Sequence, residues 1–140
     1  MLQFDWEEVN GLTITEILAD HPCKLSDGTF SAEALYFVNL IGIIEIVVNW
    51  DTDELIIRLL KTLGNKRFLT DINSHFNVVG KRLAWSWEAK NYLGYSDMFL
   101  LAFGEVVPKA LQPQLAFIGA ASSISVLSMS PLHMTEPAPK

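Results

Sequence analysis

The chain has 140 residues, the length of one domain, and half of them are hydrophobic, which excludes a disordered protein. The net charge of −6 at pH 7 argues against binding to nucleic acid or to an anionic membrane surface, because both of those partners require a surface rich in Lys and Arg. The single cysteine, Cys23, excludes an internal disulfide.

The two ends of the sequence predict the domain boundary and the compartment. The N-terminal residues are acidic and lack the basic start and the apolar core of a signal peptide. With only one cysteine in the chain, this predicts a cytoplasmic protein. We predict one globular domain over residues 1–129. Residues 130–140 contain three prolines and no apolar period, which predicts a loose tail.

The first part of the chain predicts strands and tight turns. The Thr and Ile content of residues 12–20 favours a strand, which His21-Pro22 ends. Asp27-Gly28 is typical of a hairpin turn. Ser31–Leu40 is ambiguous, because its first residue can cap a helix whereas its aromatic and β-branched residues prefer a strand. We favour the strand, bent at Gly42.

The most apolar and β-branched stretch, Leu35–Leu60, is the one around which we expect the fold to be organised. Even positions from Ile44 to Trp50 are apolar, which predicts a strand with one dry face. A second apolar run follows at Leu55–Leu60, so we predict a hairpin with Asp51–Glu54 as its loop. Charged and amide residues inside the stretch exclude a membrane-spanning helix. The register that keeps apolar residues together pairs Trp50 with Leu55, Val48 with Ile57, and Ile46 with Leu59.

One later segment has a helical period. Ile72, His75, Phe76 and Val79 recur at i, i+3, i+4 and i+7, and the glycine that follows suits the end of a helix. The spacing predicts a short helix over Asp71–Val79 that covers one face or end of the sheet.

Two further strands follow. Leu83, Trp85 and Trp87 alternate with small residues, which predicts a half-buried strand over 82–88 with these three side chains on one face. Met98–Phe103 is apolar at every position and predicts a central strand.

The last apolar segment, Leu115–Met129, is predicted to be one long strand. Its small-residue middle, Gly119–Ser123, predicts a bend, a bulge or the close approach of another backbone. Taken together, the elements predict a mainly β fold. We expect an antiparallel sheet of about six or seven strands, strongly curled or closed into a small barrel, with one short helix packed on it.

The acidic turn is the most tempting candidate for a metal site. Asp51, Asp53 and Glu54 follow a strand, and carboxylates bind Mg²⁺ or Ca²⁺. The spacing departs from a calcium-binding loop, because Leu55 occupies the fifth position. We interpret the turn as solvated. A metal-assisted hydrolase that uses Asp51, Asp53 and His75 is retained as an alternative.

Other reactive side chains have plainer interpretations. A histidine on an apolar helix face is typical of the edge of a core, and this is how we interpret His75. Cys23 is interpreted as a small buried hydrophobic residue. No catalytic residue, metal site or cofactor is predicted, because the sequence contains none of the phosphate-binding, nucleophile or metal-ligand motifs.

The aromatic residues are the strongest candidates for binding. Trp85 and Trp87 share a predicted strand face, and Trp and Tyr dominate the energetics of protein interfaces. The alternative, which we favour for the two tryptophans, is that both fill the core. The candidate partner- or ligand-binding residues are Trp50, Asp51, Asp53, Trp85, Trp87 and Tyr95.

Four motifs carry a resemblance to a known family. They are Asn49–Glu54 after an apolar strand, Trp85–Trp87, Gly94–Asp97 and Ala121–Ile124. In this combination the chain resembles small bacterial proteins grouped as a domain of unknown function, over most of residues 12–129. The resemblance implies a bacterial source, with the cyanobacteria as one candidate group, and it implies no activity.

We expect the protein to be a non-enzymatic interaction domain that binds another protein or a second copy of itself as a homodimer. The acidic surface, the high apolar fraction and the spare aromatics favour this function. The second hypothesis is a small-molecule-binding β domain with a cavity lined by Trp85, Trp87 and Phe103. The hydrolase is the third.

Overall fold

The computed structural model describes residues 1–24, 26, 29–64, 68–104 and 112–129. In these residues, none of the helices is long and apolar enough to cross a membrane. A 3-10 helix at Trp6–Glu8 precedes eleven strands in the described chain. The strands are β1 (Glu16–Asp20), β2 (Cys23–Lys24), β3 (Phe30–Ala32), β4 (Ala34–Val38), β5 (Ile43–Val48), β6 (Leu55–Leu60), β7 (Thr70–Asp71), β8 (Leu83–Lys90), β9 (Ser96–Phe103), β10 (Leu115–Ala120) and β11 (Ser123–Ser128).

The strands form two antiparallel sheets that pack face to face. The five-stranded sheet has the order β6-β5-β4-β1-β7, and the six-stranded sheet has the order β2-β3-β11-β10-β9-β8. Their inner faces share one hydrophobic core, in which Phe37 of the first sheet meets Phe117 of the second edge to face, with ring centroids 5.7 Å apart. The prediction of a mainly antiparallel β fold is confirmed, and the sheets stay open instead of closing into a barrel.

The predicted β5–β6 hairpin is present, but its register differs from our prediction by two residues. Val48 pairs with Leu55 and Glu45 pairs with Arg58. Two forces select this register. The Asn49 side chain accepts the Asp51 N–H at 2.9 Å and turns the chain out of the strand early. The Glu45 carboxylate is buried and is held by the Arg58 guanidinium at 2.7 Å.

The outer face of the five-stranded sheet is covered by the protein's own chain. Tyr36 and Ile43 point away from the main core and are nevertheless buried. Leu63 and Leu69, from the connection between β6 and β7, pack against them. The described parts of this connection therefore cover the outer face through these two leucines.

The predicted helix over Asp71–Val79 is wrong. Thr70 and Asp71 form a short strand against β1, and residues 72–80 form a series of turns. The backbone groups here form isolated turns and bonds to β1 and the residues before it, and not a continuous series of helical hydrogen bonds. Ile72 N–H donates to Ile17 O at 3.0 Å, and Gly80 N–H donates to Ile14 O at 2.8 Å.

Two expectations for the later strands also change. A bulge between Leu83 and Trp85 places Leu83 in the core and Trp85 on the opposite face, so the predicted shared face is wrong at Leu83. The predicted long strand is a hairpin of β10 and β11. Its two turn residues, Ala121 and Ser122, have φ values of 52° and 64°, which is the type I′ geometry of tight hairpins.

Several predictions about the earlier and middle strands are confirmed. The strand predicted at 12–20 is β1, and the favoured strand at Ser31–Leu40 is β3 and β4. Met98–Phe103 lies within β9, in the interior of its sheet. Gly119 is the predicted point of close backbone approach, because a Cβ atom there would lie 2.3 Å from the Asp53 carbonyl oxygen. The Asp27-Gly28 turn and the tail, 130–140, lie outside the described residues.

Candidate functional site

The outer face of the six-stranded sheet is apolar. In antiparallel register, directly paired residues share a face, so the positions opposite the core can be identified from the pairing. Within residues 85–89 of β8, 98–102 of β9 and 116–118 of β10 every outward residue is apolar, whereas a solvated sheet face normally carries polar residues. We call this surface the apolar face, and its members are Trp85, Trp87, Ala89, Met98, Leu100, Ala102, Ala116, Ile118 and Leu127.

The apolar face combines large and small side chains. Trp87, Leu100, Ala116 and Leu127 form one row across four strands, because each is paired with the next. Trp85 is 45% exposed and is paired with the fully buried Ala102 in the neighbouring row. The two tryptophans therefore lie at the β8 edge of the apolar face, next to the smaller side chains of Ala102 and Ala116.

The favoured interpretation of the two tryptophans as core residues is wrong. Neither Trp85 nor Trp87 belongs to a hydrophobic core cluster, and both lie on the outer face. The bulge after Leu83 is the cause, because it shifts the alternation of side chains along β8 by one residue. Trp85 and Trp87 therefore point to the face opposite that of Leu83. Sequence reasoning also missed Leu100, which lies in the continuously apolar segment Met98–Phe103. Such a strand signals that both faces of its sheet are covered.

A second surface lies at one end of the sandwich, where three connections meet. They are the β5–β6 loop, the β8–β9 loop and the β10–β11 turn, and we call this end the tip. Glu54 Oε2 accepts the Ser96 N–H at 3.1 Å, and Asp53 Oδ1 accepts the Ser122 N–H at 3.2 Å. These two bonds join the tip loops of the two sheets. Asp53 itself has a φ of 60°, a strained conformation that these contacts maintain.

The tip exposes aromatic side chains on an ordered backbone. Trp50 is 74% exposed, Tyr92 is 95% exposed and Tyr95 is 38% exposed. The Asn91 side chain accepts the N–H groups of Leu93 at 2.9 Å and of Tyr95 at 3.2 Å, which fixes the β8–β9 loop. The structure thus brings Trp50, Asp51, Asp53 and Tyr95 to the tip and places Trp85 and Trp87 on the apolar face.

The structure does not bring the acidic turn and His75 together. His75 stacks on Phe30 with ring centroids 4.4 Å apart, and Phe30 pairs with Val126. Asp53 contacts Ser122, which lies four residues before Val126 on the β10–β11 hairpin. Four residues correspond to about 13 Å along a strand. Among the described residues, no group of three His, Cys, Asp or Glu side chains could hold a metal ion.

The environments of His75 and Cys23 differ from each other. Burial lowers the pKa of His75, and the positive charge of Lys24 lowers it further. The imidazole is therefore neutral at pH 7, packed between two phenylalanine rings, as expected at the edge of a core. Cys23, predicted to be buried, is exposed, because it lies on the short edge strand β2.

A pocket of about 370 Å³ opens at the other end of the sandwich from the tip. It lies between the turns that follow β7 and the open end of the β10–β11 hairpin. None of the cavity residues expected from the sequence, Trp85, Trp87 and Phe103, lines it. Its lining residues are Phe76, Asn77, Val78, Lys81, Gln114, Leu115, Ser128 and Met129.

Comparison with known proteins places the chain in a family without assigning an activity. No curated protein matches the chain, and no solved structure does. The model of a family of unknown function, DUF6334, matches residues 1–133. The predicted resemblance to a domain of unknown function is thereby confirmed, and it extends closer to the N-terminus than the motifs suggested. The chain belongs to the DUF6334 family of unknown function.

Proposed function

We propose that this protein is a non-enzymatic interaction domain that forms a homodimer through the apolar face. The observation that carries the proposal is the uninterrupted apolar character of the outward positions within residues 85–89 of β8, 98–102 of β9 and 116–118 of β10. Soluble domains rarely leave a continuous apolar patch uncovered, and such a patch marks a protein-binding surface. The net charge of −6 supports a protein partner over nucleic acid or an anionic membrane.

A second copy fits the apolar face better than an unrelated partner. A two-fold interface must be self-complementary, so one surface has to supply both the protrusions and the recesses. The apolar face combines large side chains, such as the exposed Trp85, with the small side chains of Ala102 and Ala116, so it can supply both. It also carries no charge, so two acidic copies can meet there without opposing like charges.

The area of the apolar face determines how tightly we expect the two copies to bind each other. Four strands at about 4.8 Å spacing and three rows of outward residues cover about 400 Å². A standard interface buries about 800 Å² per partner, so we expect a reversible, concentration-dependent dimer. The free, exposed thiol of Cys23 supports a reducing compartment, the cytoplasm.

Sedimentation velocity over about a hundredfold range of concentration tests the proposal. The wild-type chain should move from a monomer to a dimer as the concentration rises. Leu127→Lys places a charge in the central row and should give a monomer at every concentration. Trp50→Lys, an equally drastic change at the exposed tip, is the matched control and should dimerise as the wild type does.

Two results would contradict the proposal. A wild-type chain that remains monomeric at the highest concentration would remove the homodimer. A Leu127→Lys chain that dimerises as well as the wild type would remove the apolar face as the interface. Circular dichroism should show the wild-type β-sheet signal for both variants, since both side chains are exposed.

A further inference from the structure

The pocket at the end opposite the tip has a preformed floor. Phe76, Val78 and Leu115 form this floor and are buried members of the main core. Phe76 is held edge to face against Phe30, with ring centroids 5.3 Å apart. Because these side chains already pack against the core, a ligand would meet an ordered apolar surface and lose little affinity to rearrangement.

The polar part of the pocket is cationic. Among the described lining residues Lys81 is the one with a charge, and the uncharged amides of Asn77 and Gln114 also line the pocket. The backbone of Lys81 is fixed on both sides, since its N–H donates to Val78 O at 3.0 Å and its carbonyl accepts the Ile14 N–H at 2.9 Å. Within the described part of the chain, no carboxylate pairs with the Lys81 ammonium.

These features select a class of ligand. Lys81 lines a partly apolar pocket and has no carboxylate partner in the part of the chain that the structure describes, so its ammonium is available to attract an anion. The floor requires the rest of that ligand to be apolar, and a volume of about 370 Å³ suits a small molecule instead of a peptide.

We infer that this pocket binds small apolar carboxylates, with the apolar part on Phe76, Val78 and Leu115 and the carboxylate on the Lys81 ammonium. The inference is independent of the homodimer, because it rests on other residues at the end of the sandwich. It also goes beyond the interaction domain proposed above, since it assigns a ligand class to a second site.

A matched series of three ligands tests the inference. 3-Phenylpropionate, 3-phenylpropanol and 3-phenylpropylamine share one apolar skeleton and differ in the charge of the head group. Each is titrated into the full chain and followed by ¹H–¹⁵N correlation spectra. The carboxylate should shift the amide signals of the lining residues, with a millimolar dissociation constant, as expected for about eleven non-hydrogen atoms. The alcohol should bind about tenfold more weakly, and the amine should not bind.

Two variants locate the charge that recognises the carboxylate. Lys81→Gln should weaken binding of 3-phenylpropionate about tenfold. Lys90→Gln, which changes the net charge equally on an exposed strand residue away from the pocket, should leave the affinity unchanged. Lys81→Arg should retain most of the affinity.

The outcomes are distinct. Shifts at the lining residues that are lost in Lys81→Gln alone support the inference. Equal binding of the acid and the alcohol, or equal weakening by both glutamine variants, would overturn the recognition of a carboxylate. Spectra that do not change at the lining residues with any of the three probes would overturn the site itself. None of these results depends on whether the chain is a monomer or a dimer.

Discussion

Replacing Gly119 by alanine should destabilise the fold through one steric contact. A Cβ atom at Gly119 would lie 2.3 Å from the carbonyl oxygen of Asp53, whereas ordinary contacts begin near 3.4 Å. The contact joins the β10 position to the backbone of the β5–β6 loop, so the conflict cannot be relieved by a side-chain rotation. The tip loops must separate by about 1 Å, which also strains the bond from the Ser122 N–H to Asp53.

The expected cost is about 2–3 kcal/mol of unfolding free energy, the upper part of the range for overpacking in a tight interior. For a chain of this length it lowers the melting temperature by roughly 6–12 °C. Urea denaturation followed by circular dichroism measures the free energy, with variants compared at one protein concentration.

A second glycine variant separates crowding from backbone strain. Gly94 has a φ of 91°, and no atom lies within 4 Å of the position that a Cβ atom would take. Gly94→Ala should therefore lower the unfolding free energy through backbone strain alone, by about 1 kcal/mol. If Gly119→Ala is no more destabilising than Gly94→Ala, the close approach of the two sheets at the tip is refuted.

Three further predictions concern charge and exposure. Arg58→Met should lower the unfolding free energy by about 1–3 kcal/mol in a urea titration, because it removes a cation that is bonded to the buried Glu45 carboxylate. The lowered pKa of His75 means that the unfolded chain binds the proton more tightly, so stability should be full above pH 6.5 and fall as the pH drops below it. Lys24→Gln should reduce that fall, and an unchanged pH profile in His75→Asn would contradict the assignment. Iodide should quench the fluorescence of the wild type more than that of Trp50→Phe, which lacks the most exposed tryptophan.

The sequence was sufficient to predict the hairpin of β5 and β6 but not its register. A slip of two residues keeps every side chain on its face, so the apolar pattern cannot distinguish the two pairings. The choice depends on the Asn49 side chain, which ends the strand early, and on the buried pair of Glu45 and Arg58. Each is a contact between two particular residues, and the spacing of apolar residues in the sequence does not predict such contacts.

The error over the helix has a similar origin. Apolar residues at i and i+4 can be buried by a series of turns as well as by a helix. Here Ile72 and Phe76 are buried, and the Ile72 carbonyl accepts the N–H of His75, as in a turn, and not that of Phe76, as in an α-helix. The tip shows the same limit, because the residues that meet there are far apart in the chain. The small-residue pattern did predict the backbone contact at Gly119, since only a glycine permits such an approach.

The two sheets differ in how their outer faces are covered, and this difference gives a final prediction. Both sheets have apolar residues on the face away from the core. On the five-stranded sheet the chain covers this face itself, through Leu63 and Leu69. On the six-stranded sheet the apolar face includes the exposed side chains of Trp85 and Leu127, and we propose that a second copy covers them.

A leucine-to-lysine substitution should therefore have different effects on the outer faces of the two sheets. Leu63→Lys should lower the unfolding free energy by about 1–2 kcal/mol, because it removes a partly buried apolar side chain, and should leave the dimer intact. Leu127→Lys should abolish the dimer and change the stability of the monomer by less than about 0.5 kcal/mol. Denaturation at a concentration where both variants are monomeric, paired with sedimentation at high concentration, separates the two effects. If Leu127→Lys proves as destabilising to the monomer as Leu63→Lys, the apolar face is covered from within the chain and a second copy is not needed to cover it.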